Sequence, residues 1–292
     1  MRPASFFLAG GAILLWSSLA VLGSRVSHLP ALLVTGIALC IGGCLGLVRV
    51  REWRVPALTL AVGIGGIFGY HVMLFTAFRL SPIVEANLVN YLWPLLIVLL
   101  SPAILPGFGL RPRHVLGALM GLAGAVLIVS GGSIHPDLSA LPGYLLAAGA
   151  ALTWAVYSLL TKRLPAFGSG AVGAFCLAAG VLSLGVHAAQ AGAEAFAAIQ
   201  PADWLTLAVL GVGPMGAAFF LWDAALKRGD PRVIGALSYL TPLLSTLALT
   251  VIGGRRLSPL AGIAMTAIVA GAAVGSLGRG AEPRGKRVRS GG

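Results

Sequence analysis

Apolar residues run through this chain in long unbroken stretches rather than in the alternating or 3.6-residue patterns of a half-buried element. The stretches cover roughly 4–24, 29–48, 55–78, 81–101, 112–131, 141–161, 170–190, 203–226, 231–253 and 258–277. Each is about the 20 residues that an α-helix needs to cross about 30 Å of hydrocarbon. Charged residues fall between them: Arg49, Arg51, Glu52 and Arg54 part the second from the third, and Arg111 and Arg113 part the fourth from the fifth. The pattern predicts an all-α polytopic membrane protein of ten transmembrane helices with short loops. The residues from 280 to 292, rich in Arg, Lys and Gly, read as a basic disordered tail.

The two halves of the chain resemble each other. Gly11-Ala12-Ile13-Leu14-Leu15-Trp16 matches Gly149-Ala150-Ala151-Leu152-Thr153-Trp154, an offset of 138 that also carries Arg25 onto Arg163. Asn90-Tyr91-Leu92-Trp93-Pro94-Leu95-Leu96 matches Ser238-Tyr239-Leu240-Thr241-Pro242-Leu243-Leu244 at an offset of 148, which carries Arg79 onto Lys227. The first apolar run has a counterpart in the second half, so it reads as a structural span and not as a cleaved signal segment. Five-span repeats at 1–135 and 136–279 follow. Because five is odd, tandem copies must enter the membrane from opposite sides, which is the inverted repeat of many secondary transporters.

Composition agrees with lipid as the solvent. Hydrophobic residues make up 58% of the chain and charged ones 10%, against about a quarter charged in soluble domains. The 41 glycines suit helices whose backbones approach closely in a membrane. The net charge of +12 does not read as a nucleic-acid footprint, since the cations sit in short clusters between apolar runs without interleaved aromatics. With the N-terminus cytoplasmic, 16 of the 20 cations fall on the inner side, leaving Arg25, Arg79, Arg255 and Arg256 outside. That bias places both termini in the cytoplasm. Cys40, Cys44 and Cys176 read as small packing residues; no metal site, cofactor or obligate protein partner is implied.

Ionisable residues inside a span are costly and therefore informative. Only two acids fall within spans, Glu85 and Asp223. Glu85 occupies the first turn of the fourth run, where the helix dipole favours a carboxylate and Arg79 is near; it reads as structural or as a gate at a cavity mouth. Asp223 precedes Lys227 by four residues, the spacing of a helical ion pair. His71 lies within the third run without an acidic neighbour in sequence. It reads either as a packed, hydrogen-bonded histidine or as a group that meets a substrate carboxylate or titrates. Its counterpart in the second half is Phe219.

The fourth and ninth runs carry the clearest constellation. Asn87, Asn90, Tyr91 and Pro94 share one helical face, and Gly235, Ser238, Tyr239 and Pro242 occupy the equivalent face. A mid-membrane proline frees a backbone carbonyl, and Asn, Ser and Tyr bring polar atoms that must be satisfied away from water. Neighbouring helices could satisfy them; their recurrence in both halves points instead to a substrate cavity between the repeats. Trp16 and Trp154 are repeat-related and would add flat apolar walls or sit in the lipid interface, and Tyr70, Phe75, Phe219 and Trp222 could line the same space. Hydrolysis within the membrane would need a nucleophile–base pair or metal cluster. His28, His114, His135 and His187 instead lie near span ends and no acids share a span, so the chain does not read as an enzyme.

At these residues the chain resembles a known family. The ten-span plan, the early Trp16 and the stretch Asn87-Leu88-Val89-Asn90-Tyr91-Leu92-Trp93-Pro94 are similar to the EamA branch of the drug/metabolite transporter superfamily. The string Asn90-Tyr91-Leu92-Trp93-Pro94 is most similar to the YddG-type aromatic amino acid exporters of bacterial inner membranes. The resemblance implies export of aromatic and other hydrophobic amino acids through a central cavity, with helices 1, 3, 4, 6, 8 and 9 around it. Amphipathic metabolites or cationic drugs are the alternative cargo. No acid lies near the midplane, so facilitated diffusion is expected rather than proton coupling.

Overall fold

The computed structural model describes residues 3–135, 137–191, 194–253 and 259–276; Arg2, Arg255, Arg256 and the basic tail from 280 lie outside them. Among the described residues every regular element is a helix. In chain order they are α1 (Pro3–Ser17), α2 (Leu19–Arg25), α3 (Ala31–Cys44, continued by a tighter helix Leu45–Trp53), α4 (Ala57–Leu80), α5 (Ile83–Asn90), α6 (Trp93–Ile104), α7 (Pro112–Ser130), α8 (Leu141–Arg163) and α9 (Ala171–Ala191). There follow α10 (Glu194–Ala197), α11 (Pro201–Val212), a wide π-type turn Gly213–Ala217, α12 (Ala218–Arg228), α13 (Pro231–Leu237), α14 (Leu240–Gly253) and α15 (Pro259–Ser276).

Nine stretches among the described residues are long and apolar enough to cross a membrane, several of them built from two consecutive helices, such as Ile83–Ile104 and Pro201–Arg228. This makes the chain a multi-pass membrane protein. The apolar run at 231–253 is present as α13 and α14, interrupted at Ser238-Tyr239. The interruption mirrors the one at Tyr91-Leu92 between α5 and α6. Both stand just ahead of a proline, Pro94 or Pro242, whose missing N–H removes a rung of the ladder.

Packing is organised in pairs. The most extensive interfaces join α7 to α15, α3 to α9, α4 to α8 and α1 to α12, with α13 against α6. Small residues make the closest approaches possible. A Cβ on Gly117 would come within 2.6 Å of the Gly271 carbonyl, and one on Gly43 within 2.8 Å of the Gly173 carbonyl, so no larger residue fits without parting the helices. The ring of Phe175 lies against Gly63 and that of Tyr157 against Gly66, fixing α4 between α9 and α8.

Candidate functional site

Lys162 ties the pair α4–α8 to the pair α1–α12 at one end of the bundle. Between them and the α5–α6 and α13–α14 breaks lies a cavity of about 550 Å³, large enough for a small organic molecule. Its mouth lies at the exposed lining residues Ser27, Ala31 and Ile83, at the ends of α2, α3 and α5, with Phe78 beside them. Its floor is aromatic. Trp16, Trp93 and Trp154 line it from three helices with Trp16 edge-on to the other two, and Trp222, which the sequence also offered for the lining, is buried behind them on a fourth. Trp16 lies 5.8 Å from Trp154, 6.3 Å from Trp93 and 5.1 Å from Trp222 between ring centroids. Trp16 Nε1 donates to the Pro214 carbonyl in the wide turn at 3.1 Å, and Trp222 Nε1 donates to Ser158 Oγ at 3.0 Å. With their N–H groups so occupied, both rings are locked.

Seven of the site residues expected from the sequence line this cavity: Trp16, His71, Asn87, Asn90, Tyr91, Trp154 and Phe219. His71 is 5% exposed, and its Nδ1 donates to the Ile67 carbonyl one turn back at 2.7 Å. Its ring packs on Tyr70, Phe75 and, across the repeat boundary, its counterpart Phe219. Asn90 Nδ2 donates to Tyr70 Oη at 3.2 Å. Tyr70, Phe75, Trp93, Thr241 and Ser245 also line the space. Of these, Trp93, Thr241 and Ser245 had no role in the sequence reading, although Thr241 and Ser245 are four apart and so share a helical face.

Five expected residues are placed elsewhere. Pro94 is buried and is not part of the lining, and its carbonyl lies 3.0 Å from where a Cβ on Gly235 would stand. Pro242 is buried but is not part of the lining. Ser238 Oγ turns back to the Ile234 carbonyl at 2.9 Å. Tyr239 is fully buried between α6 and α7, its ring against Gly121. Its hydroxyl donates at 3.1 Å to the carbonyl of Tyr91, its own repeat counterpart, at the α5–α6 break. Glu85 stands beyond the mouth, where its Oε1 accepts from the His135 backbone N–H at 3.3 Å. The expected pairing of Glu85 with Arg79 is not formed among the described residues; the Glu85 carboxylate bonds the loop backbone instead.

The end opposite the mouth is closed by cations capping helix C-termini, where unpaired carbonyls carry partial negative charge. Lys162 Nζ, at the end of α8, donates to the carbonyls of Leu226, Lys227 and Gly229 at 2.7, 3.3 and 2.8 Å. Arg163 donates to the Ile104 carbonyl at 2.7 Å. Lys227 bonds Asp223 at 2.7 Å, the helical pair its spacing suggests, and donates to the Phe167 carbonyl at 3.0 Å. Ser169 donates to the same Asp223 carboxylate at 2.6 Å. Arg232 bridges Asp230 and the Gly109 carbonyl. Burial pushes the Asp230 carboxyl up, but the Arg232 hydrogen bonds and charge outweigh it and hold the group below the usual carboxylate range.

The lining holds no Asp, Glu, Lys or Arg among the described residues. Its chemistry is that of rings, hydroxyls, two amides and one imidazole: it can bind flat apolar groups and hydrogen-bond a polar head without an ion pair.

Comparisons with known proteins agree with this picture. An aromatic amino acid exporter, YddG, from Ancylobacter novellus is 44% identical over 287 residues, covering 94% of this chain and 98% of its own. YddG of Salmonella typhimurium is 28% identical over 258 residues, covering 80% and 84%. The threonine/homoserine exporter RhtA of Escherichia coli is 27% identical over 232 residues, covering 77% and 72%. A crystal structure superposes with a TM-score of 0.88 at 43% identity, covering 95% of this chain and 98% of that one. The model of the EamA-like transporter family matches twice, over residues 4–130 and 141–277, and the chain belongs to that family.

Proposed function

We propose that this protein exports aromatic and other hydrophobic amino acids across a bacterial inner membrane, by alternating access and down the substrate's own gradient. The observation that carries the proposal is the cavity itself: without a charged side chain among the described lining residues, floored by three tryptophans, and sealed at the Lys162 end. The relatives named as exporters of aromatic amino acids and of threonine and homoserine support an amino acid cargo.

The proposed architecture is ten spans in two inverted halves, 1–135 and 136–279, with α13–α14 as the ninth span. The contact pattern supports it. Numbering spans one to ten, the most extensive contacts join one with eight, three with six, two with seven and five with ten. Exchanging the halves turns the first pair into the second and leaves the other two unchanged, as a two-fold relation requires. With both termini cytoplasmic, the mouth at Ser27 faces outward and the cation-capped end at Lys162 is the closed inner gate. Trp16, Trp154 and Phe219 hold the side chain, Asn87, Asn90, Tyr91 and His71 face the head group, and Glu85 stands at the mouth. Pro94 and Pro242, with Ser238 and Tyr239, shape the breaks around which the gate moves.

The test is flux in proteoliposomes. Labelled phenylalanine or tryptophan should equilibrate without a pH or sodium gradient, and an imposed pH gradient should not concentrate it. Proton-driven accumulation that vanishes in His71→Ala would replace facilitated diffusion with coupling at His71.

A further inference from the structure

Asn90 ends α5 and is 4% exposed, yet it lines the cavity. Its Nδ2 is satisfied by Tyr70 Oη. Its Oδ1 is buried with no hydrogen-bond partner. A buried amide oxygen left unpaired costs about 1–3 kcal/mol, so the group is built for a partner that arrives. Tyr70 is in the complementary position. Its oxygen accepts from Asn90, so its own O–H remains to donate. Turning the amide by half a rotation would exchange the roles, with Tyr70 donating to Oδ1 and Nδ2 left over. In either arrangement the pair presents one donor and one acceptor, side by side, both neutral.

An α-amino acid carries an ammonium and a carboxylate on the same carbon, and so offers the complementary donor and acceptor side by side. We infer that Asn90 and Tyr70 form a neutral dyad that reads the zwitterionic head group, selecting α-amino acids over amines or acids bearing the same side chain. The inference rests on the amino acid cargo proposed above and deepens it. With Asn90 Nδ2 given to Tyr70, Oδ1 takes an ammonium proton and the Tyr70 O–H meets the carboxylate. The Tyr70 ring, 5.2 Å from that of Trp154, runs from this head-group position toward the aromatic floor, where the side chain is received. Because no charged residue lines the cavity among those described, a substrate with a lone charge would find no counter-ion there. A zwitterion has its own.

The experiment measures competition against labelled phenylalanine flux in proteoliposomes, using unlabelled phenylalanine, phenethylamine (no carboxylate) and 3-phenylpropanoate (no ammonium). In the wild type, phenylalanine should compete about tenfold better or more than either analogue, the worth of one hydrogen bond to a charged group. Tyr70→Phe keeps the ring and removes the hydroxyl; it should bring the preference over phenethylamine to within about threefold. Asn90→Leu should abolish both preferences, and Asn90→Asp should turn the ranking toward the amine. Tyr70→Phe alone decides if Asn90→Leu does not elute as a folded species. Phenylalanine flux with an unchanged ranking in Tyr70→Phe overturns the dyad and leaves amino acid export standing. No phenylalanine flux in the wild type overturns both.

Discussion

Lys162 is the residue whose removal should most directly unseal the proposed inner gate. It ties the α4–α8 pair to the α1–α12 pair by giving its three ammonium protons to the last carbonyls of α12, at 2.7, 3.3 and 2.8 Å. In the opened gate both sides are hydrated, so the net contribution to closure is far below the sum of three bonds. Charged hydrogen bonds at a helix C-terminus are worth about 1.5–3 kcal/mol net, and about 2 kcal/mol is a fair figure for Lys162→Met. At about 1.4 kcal/mol per factor of ten, this moves the closed-to-open ratio roughly thirtyfold. A gate open one time in a hundred would then be open about one time in four. Ser158 reports the change. It lies one turn before Lys162 on the same face of α8, is fully buried, and accepts from Trp222 beneath the aromatic floor. In a variant with Cys40, Cys44 and Cys176 replaced and Ser158→Cys introduced, a membrane-impermeant thiol reagent added on the cytoplasmic side should react roughly twentyfold faster when Lys162→Met is added, in step with the open fraction. Lys162→Arg should leave the rate nearly unchanged. Equal rates with and without Lys162 would show that the lysine does not hold this gate.

Tyr91 and Tyr239 occupy equivalent sequence positions but should respond differently to truncation. Tyr91→Ala should cut transport at least tenfold with the fold intact. Tyr239→Ala empties a fully buried site against Gly121 and should cost about 3–5 kcal/mol of stability, read as a fall in melting temperature of the detergent-solubilised protein; a loss of flux without that fall would return Tyr239 to the cavity. For topology, Ser133→Cys should be labelled from outside the cell and Val48→Cys only from the cytoplasm, and the opposite pattern would invert the proposed orientation.

The apolar runs carried most of the fold into view, because span length and the placement of charge are dictated by the bilayer alone. The cavity was legible on one side of each helix break and not beyond it. Asn87 and Asn90 precede the interruption at Tyr91-Leu92, Tyr91 opens it, and all three line the cavity as a straight helical face would place them. Pro94 follows the interruption and is not part of the lining, while Trp93 takes its place. In the second half the same geometry sends Tyr239 into the glycine cradle at Gly121 and brings Thr241 and Ser245 forward. Sequence periodicity assumes an unbroken helix, and the prolines that drew notice to these faces also break the assumption. Glu85 shows a different limit: Arg79 is close along the chain, but the carboxylate bonds a backbone N–H contributed fifty residues away.

The lack of formal charge among the described residues that line the cavity has an electrical consequence. A resting membrane imposes about 2.3 kcal/mol per 100 mV on each elementary charge that crosses it. A zwitterion carried through an uncharged cavity moves no net charge. Under the proposed mechanism the membrane voltage then neither pulls the cargo outward nor holds it back, and export continues unchanged in an energised or a depolarised cell. The same neutrality means that the voltage cannot be used to concentrate the substrate, so the direction of flow is set by the two concentrations alone.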